Sequence, residues 1–477
     1  VGALTPLAAA GQSWYRASVR ILFLAAALFL SPVGALAQTA PPAPAPGAAD
    51  HVAPPVAVPT LPPAPAPLVA APILETPAEA LAEDAAEYAR QFGVSLPEAI
   101  ARLTAQDIST PITDAIGEHY RDRLAGIAIE HRPSYRIIVS LTGTAPVAPQ
   151  SVVTGDITVP ILFRTGARVT RDQVIWAMTN HQAALRAALH TPPGMGLDPR
   201  TGELTILIGS ADASGGTAAL KARLEAIAGV PVQVRLLNHV DVNLAPEGGS
   251  RVEGVSPADG RRYLCTTGFT VTDGLRYGVT TAAHCVDELV YRDPQAGSTP
   301  LPFVGQWGWG YRDVQINAAD APLPPSFYAD TARTRLRPVT GLRSRASTRA
   351  GDFVCHRGER TGYSCALVQL TDFAPAGDLC GGPCLPTWVT VSGPTCKGGD
   401  SGSPVFSGTT ALGVLKGASY RGDGSCVFYF YMSVDYLPER WQVLQMPLQS
   451  APPASAGNTE TDVKSEFPQN RAIRAAW

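Results

Sequence analysis

With 477 residues the chain is longer than one ordinary domain, and its length predicts two or three. Lys and Arg number 37 against 40 Asp and Glu, a net charge of −3 without a basic block, which argues against nucleic acid as the main partner. Charged residues are only 16% of the chain while Gly and Pro number 45 and 44, so turn-rich β structure and long linkers are expected rather than a helical bundle.

Residues 1–37 read as a secretory signal, with 1–13 an overlong start. Arg16 and Arg20 form a positive n-region, Ile21 to Leu30 an apolar h-region, and Ala35-Leu36-Ala37 a small-residue cleavage site before Gln38. Ser31-Pro32 breaks the apolar run short of the roughly 20 residues a spanning helix needs, which favours cleavage over anchoring. The expected destination is extracellular or periplasmic. Residues 38–77 are Ala/Pro-rich, a semi-rigid linker unable to bury a core.

Residues 78–245 read as an α+β unit. Helical spacing runs through Ala85 to Phe92 and Leu96 to Leu103, with Ser95 as N-cap, then Asp172 to Leu189 and Ala218 to Ala228. Strands are expected at Tyr135 to Leu141, Ile157 to Phe163, Leu204 to Ile208 and Val232 to Leu236. Residues 246–446 change character: short β-rich runs between Gly, Pro and Asp clusters predict an all-β barrel architecture. The polar, Pro/Ser/Ala-rich stretch 447–477 reads as a disordered tail.

All eight cysteines lie between Cys265 and Cys426, which in an exported chain reads as a disulfide framework. The alternative is zinc, but Cys380-Gly381-Gly382-Pro383-Cys384 has no second pair to complete four ligands, so no metal and no cofactor are expected. The chemistry is carried by two motifs. Thr280-Thr281-Ala282-Ala283-His284-Cys285 sets an imidazole at the end of a β-branched run, and Gly399-Asp400-Ser401-Gly402 sets a hydroxyl on a glycine-rich turn. A serine hydroxyl needs a base to take its proton, and histidine is the usual one. The turn also lets the N–H groups of Gly399 and Ser401 converge on an oxyanion. A carboxylate must orient His284; Asp313, opening the strand-like Asp313-Val314-Gln315-Ile316, is the first choice and Asp320 the second.

Residues 250–441 resemble secreted bacterial serine proteases of the chymotrypsin fold, the alpha-lytic protease and streptogrisin group. The resemblance is carried by Cys265-Thr266-Thr267-Gly268-Phe269, Thr281 to Cys285, Tyr311-Arg312-Asp313-Val314, Cys355 to Cys365 around Thr361-Gly362-Tyr363, and Cys396 to Phe406. It implies an all-β catalytic domain of two six-stranded β-barrels with the active site between them. It also implies disulfides Cys265–Cys285, Cys355–Cys365 and Cys396–Cys426, leaving Cys380–Cys384 as a local bridge. The α+β unit resembles more loosely the pro-region of that group, a folding aid and inhibitor removed on maturation; the change in composition places the expected mature start between Ala245 and Val255.

Two positions depart from the group. His356, followed by Arg357, stands where an arginine usually pairs with the aspartate before the nucleophile, which leaves Asp400 to pair with either residue or with another partner. Lys416 stands where a small residue usually faces the triad. Pro394 and Thr395 fall at the pocket base, with no aspartate to receive a cationic side chain, so apolar or aromatic recognition is expected. Thr395, Lys416, Gly417, Ala418, Phe430 and Tyr431 are the candidate wall residues, and Lys397 and Lys416 leave room for acidic ones. The expectation is a monomeric secreted serine endopeptidase, made as a preproenzyme and acting on polypeptides. The alternative is a catalytically silent secreted binding protein of the same fold.

Overall fold

The computed structural model describes residues 71–154, 157–237, 241–243, 251–258, 260–293, 297–393 and 395–447. The expected signal, most of the Ala/Pro linker, Pro394, the junction 244–250 and all but the first residue of the tail lie outside the described residues.

Order begins earlier than the composition suggests. Ile73–Leu74, inside the expected linker, forms a short strand, and helix α1 (Pro77–Phe92) opens directly after it. Thr76 and Glu79 close a capping box, with Pro77 at the first helical position and Gly93 in the left-handed conformation at the end. Helix α2 runs over Leu96–His119 with Ser95 as its N-cap, far past Leu103 where apolar spacing stops. The reason is a polar buried face: Gln106, Ser109 and Thr113 point inward and bond to other segments.

A four-stranded sheet follows, in the order Leu124–Glu130, Arg136–Thr142, Ile157–Ala167, Gln150–Thr154. It packs Ile129, Ile137, Val139, Leu141 and Ile161 with Ala105 and Ile116 of α2. Helices α3 (Arg171–Ala187) and α4 (Thr217–Ala228) cover a second sheet built from Gly194–Asp198, Glu203–Ile208 and Val232–Leu236. Strands 124–130, 150–154 and 194–198 were not foreseen from the sequence.

The β-rich part divides into two halves. The first is a four-stranded sheet (Arg262–Thr266, Arg251–Val255, Leu289–Asp293, Gly297–Leu301) and a five-stranded one (Phe303–Trp307, Val314–Ala319, Tyr277–Thr281, Thr270–Thr272, Gln442–Val443). In the second, six strands pair in a closed ring: Thr410–Tyr420, Pro404–Ser407, Phe353–Gly358, Gly362–Val368, Val389–Ser392, Cys426–Ser433 and back to Thr410–Tyr420. Inward residues Val354, Val368, Val391, Val405, Leu412, Leu415 and Tyr429 fill it. The all-β class with a preceding α+β unit is therefore the observed one, and all four disulfides join the expected pairs.

Three strand pairings tie the preceding segments to the β-rich part, one from the linker and two from the α+β unit. Ile73–Leu74 runs parallel to Arg335–Leu336, Gly194–Asp198 runs antiparallel to Thr371–Ala374, and Asp241–Asn243 runs antiparallel to Gly417–Ser419. Buried arginines add to them. Arg337, wholly inaccessible, meets Glu75 at 3.0 Å and Glu83 and Asp84 at 2.8 Å each. Arg349 bonds Asp352 beside it and reaches Ser109, Thr113 and the Gln106 carbonyl on α2.

Candidate active site

Strand pairing brings the histidine and the aspartate together. Tyr277–Thr281 and Val314–Ala319 are neighbours in one sheet, with Thr281 opposite Gln315, so the residues just beyond that end of each strand meet. His284 follows the first strand and Asp313 precedes the second. The His284 Nδ1 atom lies 2.8 Å from Asp313 Oδ2, and its Nε2 atom lies 2.7 Å from Ser401 Oγ. Ser401 and Asp313 are buried, and the imidazole is partly exposed.

Ser401 belongs to the second half, and its turn is fastened to the first. The Thr266 N–H donates to the Ser401 carbonyl at 2.7 Å, and the Thr266 hydroxyl donates to the Gly399 carbonyl at 2.8 Å. Thr281 in turn donates its hydroxyl to the Thr266 carbonyl at 2.7 Å. Gly399 and Gly402 take φ of +103° and +89°, a region that favours glycine. Amides 400, 402 and 403 donate to the carbonyls of Lys397, Leu415 and Asp400. Cys265–Cys285 and Cys396–Cys426 brace the histidine loop and the serine loop. Thr266 and Thr281 are the members that residue-by-residue reading missed; their only signal was a place within the resembling stretches.

Asp400 is buried and binds neither His356 nor Arg357. It accepts N–H groups from Lys397 at 2.9 Å, Arg360 at 3.1 Å and Thr361 at 3.3 Å, and the Thr361 hydroxyl at 2.8 Å. Burial pushes its carboxyl up, and these donors oppose the push. Arg357 pairs with Glu359 at 3.1 Å instead, and burial holds His356 down at a pKa of about 4. Among the other acids considered, Asp320 is exposed and Asp287 accepts from Gln306.

The expected wall residues divide. Thr395 is exposed, whereas Gly417, Ala418, Phe430 and Tyr431 are buried. Gly417 and Ala418 pair through their backbones with Asn243 and Val242. Lys416 is buried, and its Nζ atom stands 3.5 Å from Asp313 Oδ1. Burial raises the Asp313 carboxyl, yet His284 and Lys416 beside it bring it below the usual carboxylate range. A grouping of Asp84 with Cys355 and Cys365 has no ligand capacity, since both sulfurs are in a disulfide. Among the described residues no helix is long and apolar enough to cross a membrane.

No protein-family model matches the chain. Over 170 residues it is 30% identical to Streptogrisin-C of Streptomyces griseus, covering 34% of this chain and 33% of that protein. The chain thus spans about a third of the length of the curated relative it matches. Among solved structures, Thermobifida fusca Protease A aligns with 21% identity and a TM-score of 0.33, covering 42% of this chain and 98% of that one. Cellulomonas bogoriensis chymotrypsin aligns with 20% identity and a TM-score of 0.32, with the same coverage. At such scores the fold assignment rests on the chain's own strand pairings. Over part of its length the chain is similar to bacterial serine proteases of the chymotrypsin fold.

Proposed function

We propose that this chain is a secreted serine endopeptidase made as a preproenzyme. The observation that supports it most is the unbroken row Asp313–His284–Ser401, with contacts of 2.8 and 2.7 Å at the junction of the two β halves. In this reading Ser401 Oγ attacks the carbonyl carbon of the scissile peptide and passes its proton to His284 Nε2. Asp313 accepts the Nδ1–H bond, which selects the tautomer with a basic Nε2 and balances the imidazolium. The tetrahedral adduct collapses, the leaving amine takes the proton from His284, and an acyl ester remains on Ser401. Water, deprotonated by the same imidazole, then frees the acid. The N–H groups of Gly399 and Ser401 are the proposed oxyanion donors, each worth about 2.7–4 kcal/mol in the transition state.

The substrate is an extended polypeptide added as a strand along Gly417–Ser419. Asp241–Asn243 occupies that edge, which supports residues 78–245 as a pro-region that both inhibits and assists folding. A β fold with distant pairings folds slowly, and a template that pairs with two of its strands lowers the search. Thr395, Gly417, Ala418 and Tyr431 remain the candidate specificity residues, with apolar or aromatic preference. Export by the 1–37 signal fits the four disulfides.

The test is Ser401→Ala in the full chain. The variant is expected to hydrolyse no peptide, to take no fluorophosphonate label and to remain uncut between 245 and 255. Full peptidase activity in that variant would end the proposal.

A further inference from the structure

The lysine beside the triad carboxylate has no counterpart in the chemistry derived so far. Lys416 sits on the strand Thr410–Tyr420 at a point where pairing with Cys426–Ser433 slips: Leu415 faces Tyr431, yet Gly417 faces Phe430. It is the extra residue of a β-bulge, a device that re-aims one side chain out of the strand's alternation. The bulge sends it inward, where Lys416 and Asp313 are each 1% exposed. Its ammonium lies 5.2 Å from the centre of the buried Trp388 ring, an additional contact suited to a cation.

The two oxygens of Asp313 are thus divided. Oδ2 takes His284 Nδ1 at 2.8 Å, and Oδ1 faces Lys416 Nζ at 3.5 Å. The Asp313 N–H donates to the Met432 thioether at 3.3 Å, which anchors the backbone that carries the carboxylate. The charged groups acting on Asp313 are His284 and Lys416, and the one acting on Lys416 is Asp313. An apolar site would tolerate neither charge alone.

We infer that Lys416 is a positioning residue for the catalytic row, a buried cation that fixes the Asp313 carboxylate and offsets part of its charge toward His284. This rests on the proposed roles of His284, Asp313 and Ser401. Two consequences follow from the sign of the charge. A cation behind the carboxylate disfavours protonation of the imidazole, so the base stays available at lower pH. It also keeps Asp313 ionised while the site is closed by substrate. Burial pulls the ammonium toward neutrality and Asp313 opposes that pull, so the pair stands or falls together.

The experiment measures kcat/KM against pH for the matured enzyme and for Lys416→Met and Lys416→Gln. The acid limb is expected to move upward by roughly one pH unit in both variants, with a lower plateau. An unmoved limb with a lower plateau would reduce Lys416 to packing and overturn the inference. Should neither variant accumulate, wild-type enzyme carrying 15N at lysine Nζ serves instead. Its Lys416 signal is expected to be an ammonium whose shift follows the acid limb; a neutral amine, or a signal indifferent to that limb, overturns the inference. Ser401 labelling by a fluorophosphonate separates the two failures, since an active, labelled enzyme with an unmoved limb leaves the protease reading intact.

Discussion

Gly402 lies so close to Thr266 that a Cβ on the glycine would stand 2.1 Å from the threonine carbonyl oxygen. The same Cβ would meet Thr281 Oγ1 at 2.3 Å, and the residue has φ +89°. Backbone against backbone cannot yield as a flexible side chain can. Gly402→Ala is expected to destabilise the β-rich part by about 3 kcal/mol or more, from strain and overpacking combined. Thermal unfolding in a Ser401→Ala background measures it, and an unchanged midpoint would contradict the contact.

Asp313→Asn keeps the shape of the site but offers Nδ1 an amide in place of a carboxylate. Activity near neutral pH is expected to fall by about 10⁴-fold. Lys416 would then be a buried cation with no counter-charge, so the midpoint of unfolding should fall as well. A variant within tenfold of the parent would show that Asp313 does not serve His284.

Arg337 is the fully buried cation inside a nest of Glu75, Glu83 and Asp84, two of which are nearly inaccessible, while the more exposed Arg335 also reaches Glu75 at 3.2 Å. Arg337→Ala removes the counter-charge of buried Asp84 and leaves Glu75 only Arg335, a loss of about 3–5 kcal/mol. In the uncut Ser401→Ala chain it is expected to lower the denaturant midpoint and to speed proteolytic nicking of residues 71–93. Unchanged nicking and an unchanged midpoint would show that the nest does not hold the segment.

Asp241 is buried on the strand that pairs with Gly417–Ser419, and burial raises its pKa to about 6 while the Ala376 N–H opposes the rise. The folded chain therefore holds this proton between about 4 and 6, where the unfolded chain has lost it, so the contribution is full below that window and is lost as pH rises through 6. Buried His131 and His356, each with a pKa of about 4, act in the opposite direction from 6.5 downward. The readout is thus the difference between the parent and Asp241→Asn in the Ser401→Ala background. That difference should shift in favour of the variant as pH rises from 4 to 7; a constant difference would contradict the assignment.

Most of the site was legible because its elements are short and punctuated. His284 ends a β-branched run, Ser401 stands among glycines, and Asp313 opens an alternating strand. The strand start at Asp313 favoured it over Asp320 and the other aspartates, which sit in Pro- or Gly-rich loops. What stayed hidden depends on distant partners. α2 beyond Leu103 buries Gln106, Ser109 and Thr113 against Arg349, so its inner face has no apolar period. Ile73–Leu74 is a strand only because Arg335–Leu336 receives it. The partner of Asp400 was left open between His356, Arg357 and another group, and it proves to be the N–H groups of 397, 360 and 361 with the Thr361 hydroxyl, which no side-chain pattern announces.

If the residues before 245 are removed as proposed, the edge-to-edge joints carry a cost for the part that remains. Main-chain amides and carbonyls on 335–336, 371–374 and 417–419 would each lose a bonded neighbour at the same moment. In the proposed function, the margin at 417–419 is where the substrate strand would lie. The other two have no such use, and solvent, a local rearrangement or a further chain has to satisfy them.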